Sequence, residues 1–443
     1  MKEIEKKTED SIKVKPKFHF IASDEYEEKI KTLVASGKKI DAFLCNGAYQ
    51  FENYTKDITD LFPKYAPNYY RELKSNKMGE ESLYNSSING KIYSVPCNAF
   101  NCPRYFIVAR KDLVDKYANG GFETLEDYGD FLKSVKENEP DLIPGAVYSR
   151  TFFDAYMKGN GYYNYQTVIF SNWEGEEKNL YLLEDTEEFS KAYSLLENWR
   201  KNGYAPKNPY SYDKSSFISK GLLASLLTNS DEVHNRGIDE GLNDYGYRMY
   251  PLYLDKTHVI MPKSKSVAVA KNSKNPERVL MFIEWLHKSQ ENYDLFRFGV
   301  NGRNYSLDGE NISYPEGIQQ ITYWWNTVTD FFIDYRYERI GFPDTLNYRE
   351  VIKEASLNNI VTQWEMYEKF EYRLMDEDEL KKVNEEWDSL SPILRKYEEN
   401  MYDFYEYMDE GLGTITPEKL REMQKEAGID RVLEFYKKDL LKN

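Results

Sequence analysis

An α/β architecture is what this sequence predicts, and three observations carry it. Short apolar runs bounded by turn residues alternate with stretches of helical spacing, the pattern of strands laid against helices. The 443 residues are enough for two or more cores. The three cysteines, Cys45, Cys97 and Cys102, are too few and too irregularly spaced for a stapled fold or a zinc site.

Taken in order, Val14 to Ile21 reads as a strand with Pro16 near its start, Tyr26 to Ala35 as a helix stopped by Ser36-Gly37, and Ile40 to Cys45 as a second strand. In DITDLFPKYAPNYYREL, Ile58, Leu61 and Phe62 form an apolar edge, and Pro63 and Pro67 cut the helices short. Asn89-Gly90 is a turn signal because both residues tolerate positive φ. Ile92, Tyr93 and Val95 then run as strand until Pro96 removes a donor. The polar stretch from Cys97 to Cys102 separates that strand from the next, Tyr105 to Ala109. Too polar for a core strand yet flanked by two apolar ones, it is expected where chain passes between two lobes, with its cysteines free rather than bonded.

Lys111 to Tyr117 reads as a short helix. Thr124 caps a longer one whose Leu125, Tyr128, Leu132 and Val135 recur at helical spacing. After a looser stretch with short strands near Val168 and Tyr181, a helix runs from Glu187 to Lys201 with Phe189, Tyr193, Leu196 and Trp199 on one face. LLASLL, ending at Leu227, reads as a strand, as does Ser266 to Ala270, and Pro276 lies just inside the next helix. The final third is mostly helical. One helix starts at Asp376 with Leu380, Val383, Trp387 and Leu390 as its buried stripe; another begins at Thr416-Pro417 and is interrupted at Gly428.

Composition narrows the function. Lys and Arg number 59 against 75 Asp and Glu, a net charge of −16, which argues against phosphate backbones and anionic membranes as partners. Nucleic acid is therefore not an expected partner. The 39 Tyr and 7 Trp offer flat apolar faces with a polar handle, suited to sugar rings, although an AT-rich genome raises Tyr as well and accounts for the larger share. The four histidines show no metal-ligand spacing. No run of about 18 apolar residues is present.

Catalytic signatures are absent. There is no P-loop or G-x-S-x-G elbow, and Gly159-Asn160-Gly161 is followed by Tyr162, Tyr163 and Asn164, which breaks a dinucleotide fingerprint. Asp376 to Glu379 lacks the turn glycine of a calcium loop and reads as a solvated helix start. No metal, cofactor or catalytic residue is expected. What remains is a set of turns at strand ends, where α/β proteins place ligands: Asn46 and Tyr49; Asn98 and Phe100; Tyr148 and Arg150; Asn229 and Asp231. Taken singly, each Asn or Ser there is more often a turn former or cap. Trp324 and Trp325 are adjacent, so on a helix only one can face a core.

The stretches KIKTLVASGKKIDAFLCN, DITDLFPKYAP, NGKIYSVPCN with FIVARKDLVDKY, FETLEDYGDFLKSVKENEPDLIPG, KNPERVLMFIEWL, FGVNGRNY and EAGIDRVLEFYKKDL occur in an order that resembles the bacterial extracellular solute-binding proteins of ABC importers, in the lipoprotein branch with an extended C-terminal region. The resemblance implies a type II, periplasmic-binding-protein-like fold of two lobes. The expected lobes are 1–103 with 265–300, and 104–264 with 301–443 carrying a helical extension. It implies capture of a carbohydrate, an oligosaccharide, by hinge closure and without chemistry, by a monomer that serves an ABC permease. Tyr49, Tyr148 and Trp324 or Trp325 would stack on sugar, while Asn46, Asn98, Arg150, Asn229 and Asp231 would hydrogen-bond hydroxyls. A carbohydrate-active enzyme, such as a glycoside hydrolase or lyase, and a surface module for peptides or glycans are the alternatives. Members are similar in having a signal peptide, a lipidated cysteine and a first strand ahead of the helix that here begins near Lys2. These are missing from the sequence, so a lipid anchor at the extracellular face is implied by the resemblance alone.

Overall fold

A computed structural model describes the chain apart from residues 102–104, 167–168, 174–179, 209–213, 230–244, 257, 310, 316–324, 326–327, 340–359, 363–364, 366–376, 412–414 and 440–443. Cys102, Val168, Asp231, Trp324 and Asp376 lie outside the described residues, and Tyr49 and Phe100 are described as backbone alone. The chain divides into two compact units, 1–101 with 261–342, and 102–260 with 343–443. It therefore passes from one unit to the other three times. The segment 301–342, which the sequence reading assigns to the second lobe, sits in the first unit.

The first unit is built on a three-stranded antiparallel sheet. Lys265–Val269 is its centre, with Ala42–Asn46 on one side and Ser94–Pro96 on the other, in register Leu44 to Val267 and Val267 to Val95. A central strand is covered on both faces, which is why it reads as a continuous apolar run. Val267 and Val269 face a core with Phe62, Tyr69, Leu73, Ile283 and Leu286. Ala268 and Ala270 face the opposite one, with Ile30, Val34, Phe43 and Phe51. The helices Tyr26–Ala35 and Pro276–Leu286 supply these two layers.

Val14 to Ile21 is not a strand. Its side chains alternate as in one, with Val14, Pro16 and Phe18 half-buried and Lys15, Lys17 and His19 exposed, but among the described residues no strand pairs with it. Pro16 removes a ladder donor, so the segment is held by side chains instead: the Phe18 ring lies 6.3 Å from Phe282 and 6.2 Å from Phe296.

The second unit has its own antiparallel sheet, centred on Tyr105–Arg110 between Ser225–Asn229 and Tyr247–Pro251. The predicted strand LLASLL begins in regular form only at Ser225, though Leu223 and Leu226 bridge in parallel to Ile143 and Ala146. Helix Leu125–Asn138 starts with a capping box between Thr124 and Asp127. Gly129 lets Trp199 of helix Glu187–Lys201 lie against it, since a Cβ there would meet the indole at 2.7 Å. The C-terminal helix Glu377–Glu410 is 34 residues long, and its buried stripe runs on from Leu390 through Leu394, Tyr397, Met401, Phe404 and Met408. Helix Pro417–Ala427 is capped by Thr416 and closed by Gly428 at φ 89°, a left-handed position that glycine occupies without strain.

Candidate functional site

In the first unit, the sheet ends where the chain leaves. Beyond Pro96 the exit stretch is flanked on both sides. Cys97 N–H donates to Lys265 O at 2.9 Å, Lys263 N–H donates to Ala99 O at 2.9 Å, and on the other edge Asn98 N–H donates to Ile333 O at 2.8 Å and Tyr335 N–H to Asn98 O at 2.9 Å. Residues 97–101 are thus the middle of a ribbon between 261–265 and 333–335. A stretch too polar for a core finds its backbone partners here rather than in the main sheet.

Asn98 is buried, and its side chain donates to Asp334 Oδ1 at 3.1 Å. Asp334, fully buried, also receives Arg336 Nε at 2.9 Å and Nη2 at 2.5 Å, and its Oδ2 is 3.0 Å from His287 Nδ1. Burial pushes the Asp334 carboxyl up, but the hydrogen bonds from Arg336 and His287 outweigh it and hold its pKa at about 2. Tyr69 stacks on His287 at 3.8 Å and 10° and donates to Pro96 O at 2.9 Å. The amide of Asn98 is thereby committed inside the protein. Sequence reasoning missed Asp334, His287 and Tyr69; the one local signal is an arginine two residues after an aspartate in DYRY.

Asn46 ends its strand exposed, its N–H held by Gln50 Oε1 at 2.7 Å, and pairs with Lys265, the residue that also receives Cys97 N–H. The structure therefore brings Asn46 and the start of the polar stretch to one end of one sheet. Trp325 is elsewhere. Its indole donates to Phe296 O at 2.6 Å and its ring packs edge-on to Phe18 at 5.9 Å, a half-buried place against the core.

In the second unit the same kind of sheet end carries Tyr105, Asn229 and the turn Tyr148–Arg150. Asn229 pairs with Tyr105, and Ala146 bridges to Leu226, which brings Tyr148 to the level of Thr228. Tyr148 is buried, Asn229 half-buried and Arg150 exposed. Helix Ser149–Gly159 is buried along its length except at Arg150, Asp154 and Lys158, one residue per turn on a single face. Lys158 Nζ donates to Tyr105 OH at 2.9 Å and stands 5.3 Å over its ring. Asp154 and Lys158 were not legible as site residues, because their spacing alone describes any solvated helix face.

Cys45 and Cys97 are free, and burial pushes both thiols up to about 12. Among the described residues no group of three or more His, Cys, Asp or Glu is placed to hold a metal ion. The arrangement offers amides, a carboxylate, a guanidinium, an ammonium and phenol rings at two sheet ends.

Comparison with known proteins identifies the family. Residues 1–292 match the family model described as bacterial extracellular solute-binding protein. A carbohydrate ABC transporter substrate-binding protein of Streptococcus pneumoniae serotype 4 is 24% identical over 380 residues, 78% of this chain and 71% of that protein. Lipoprotein LipO of Bacillus subtilis is 25% identical over 356 residues, 73% of this chain and 67% of that protein. In structure, the N-glycan transport solute binding protein of Streptococcus pneumoniae superposes with a TM-score of 0.66 at 16% identity, covering 99% of this chain and 94% of that one. The two-lobe α/β fold is thus that of a binding protein, and the chain belongs to the bacterial extracellular solute-binding protein family.

Proposed function

We propose that this protein binds an oligosaccharide outside the cell and delivers it to an ABC permease, its two lobes closing on the sugar through a hinge. The observation that carries this reading is the match, over 78% of the chain, to a carbohydrate ABC transporter substrate-binding protein. The N-glycan transport protein has been crystallised with Man1GlcNAc and with Man5GlcNAc, which favours a chain of sugars over a single ring. The side chains at the two sheet ends suit such a ligand: phenol rings supply apolar faces for pyranose C–H groups, and amide, carboxylate and guanidinium groups match paired hydroxyls.

Within this reading, Asn46, Tyr49, Phe100, Tyr148, Arg150, Asn229 and Asp231, with Trp324 of the tryptophan pair, are the proposed contacts. Asn98 and Trp325 enter only as supports, since their polar atoms bond to Asp334 and Phe296. The protein acts as a monomer, without turnover, and is lipid-anchored at the extracellular face, as the likeness to a lipoprotein suggests.

A thermal-shift panel of mono- and oligosaccharides tests the central claim, because a ligand that binds only the native state raises the melting temperature. An oligosaccharide giving a dose-dependent rise and recovered intact is the expected result. A panel with no rise would end the carbohydrate reading, and release of reducing ends would replace it with an enzyme.

A further inference from the structure

We infer that the long C-terminal helix is part of the sugar site, with Tyr405 as a contact and Asp409 as the positioning residue for the turn that presents Arg150. This rests on the carbohydrate reading above. Asp409 is one helical turn from Tyr405 and reaches the start of helix Ser149–Gly159, where its Oδ1 accepts from Ser149 N–H at 3.0 Å and from Ser149 Oγ at 2.8 Å. Arg200 Nη2 completes the cluster, 2.9 Å from Ser149 Oγ and 2.5 Å from Asp409 Oδ1, with both charged side chains almost wholly buried. The carboxylate thus satisfies an N–H that opens a helix, a group with no partner inside that helix. Because Ser149 lies between Tyr148 and Arg150, fixing its backbone fixes the direction in which both neighbours leave the chain.

Tyr405 occupies the next step on the same helix. Its ring lies 5.6 Å from Phe153, between the helix positions of Arg150 and Asp154, and is half-buried rather than enclosed. Among the described residues its hydroxyl has no hydrogen-bond partner. Burial, reinforced by Asp154 and opposed by Arg150, holds that hydroxyl protonated well above its ordinary range, so it is available as donor and acceptor. A phenol beside an arginine and an aspartate on a helix face offers what a pyranose needs: a flat apolar surface and groups of both hydrogen-bonding senses. The extension would then set which sugar fits, because it supplies one wall directly and holds another in place.

The test uses the full chain and the glycan that the wild type binds best on an array of defined oligosaccharides, followed by calorimetric titration with that glycan. Tyr405→Phe should weaken binding by about 3–10-fold with little change in melting temperature, as expected for one lost hydrogen bond. Asp409→Ala should weaken it at least as much, with Asp409→Asn, which keeps an oxygen for Ser149 and is the variant to rely on if the alanine form does not fold, weakening it less. In an Arg150→Ala background, Asp409→Asn should cost less affinity than it does in the wild type, since one of the two positioned neighbours is gone. Exposed Tyr402, on the same helix, is the control, and Tyr402→Ala should leave affinity unchanged. If Tyr405→Phe and Asp409→Asn lower only the melting temperature while Arg150→Ala still weakens binding, the inference is overturned and the carbohydrate reading stands. If the wild type binds no glycan on the array, both fall.

Discussion

Asp334 in the first unit and Glu184 in the second are both buried carboxylic acids, and burial pushes both pKa values up, yet they end on opposite sides of the ordinary range. Asp334 is held at about 2 and Glu184 rises to about 7. The difference lies in the donors. Asp334 faces the guanidinium of Arg336, the ring of His287 and the amide of Asn98, whereas Glu184 has Tyr397 OH at 3.1 Å on Oε2, while Oε1 has no partner among the described residues. Desolvation alone decides nothing. A buried acid stays ionised where a guanidinium and an imidazole bond directly to it, and is pushed toward the protonated form where the groups bonding to it are its own backbone N–H and a neutral hydroxyl. The first is a knot that ties the exit ribbon to the helices beneath it; the second is a joint between the C-terminal helix and the turn at 183–185.

The largest expected effect is at the knot. Asp334→Ala leaves buried His287 and the buried Asn98 amide without their acceptor and takes one of two carboxylates from half-buried Arg336, which keeps Glu72 at 3.1 Å; it should destabilise the protein by about 3–5 kcal/mol, the usual range for breaking one side of a buried pair. Urea unfolding measures this, and a loss below about 1 kcal/mol would show that the cluster relaxes into solvent.

Glu184→Gln should act in the other direction and with pH. The native pKa of about 7 lies above the ordinary glutamate value of 4.5, so between these values the native state holds a proton that the unfolded chain has lost. Stability from this group is complete below the unfolded pKa and is lost as pH rises through the native one, by up to about 3 kcal/mol in total. Wild type should therefore weaken, relative to Glu184→Gln, from pH 5 to pH 8. Parallel stability curves for the two proteins would mean that Glu184 is solvated.

Tyr397→Phe sharpens the same contrast at about 1 kcal/mol, the worth of one hydrogen bond. Removing the hydroxyl that favours the ionised form should move the pH midpoint of the Glu184 effect upward, and a downward move would contradict the geometry. The smallest change is Trp325→Phe, which removes a neutral bond to Phe296 O and no charge. It should cost about 1 kcal/mol or less and leave oligosaccharide affinity intact, whereas a large loss of affinity would return Trp325 to the ligand site.

Several elements were legible because their signals are local. Tyr26–Ala35, Lys111–Tyr117 and Glu187–Lys201 form over the residues read from the sequence, each set by spacing and flanking residues within a few positions. The strand expected at Val14 to Ile21 shows the limit: alternation fixes which side chains turn inward, but a strand also needs a partner with free donors and acceptors. The candidate site divides in the same way. Asn46, Asn98, Tyr148 and Asn229 could be placed at strand ends from turn chemistry, but whether each amide or ring is available to a ligand depends on partners far away in the chain.

By itself, then, the sequence determined the element types, the caps and turns, and the α/β class, because these follow from interactions between near neighbours. Only the tertiary structure decided that Asn98 spends its amide on Asp334, 236 residues away, and that Ser149 is held by Asp409 at a separation of 260. Such contacts leave no periodicity behind. They arise when packing removes water from polar groups and obliges each to find whatever partner the fold has brought within reach.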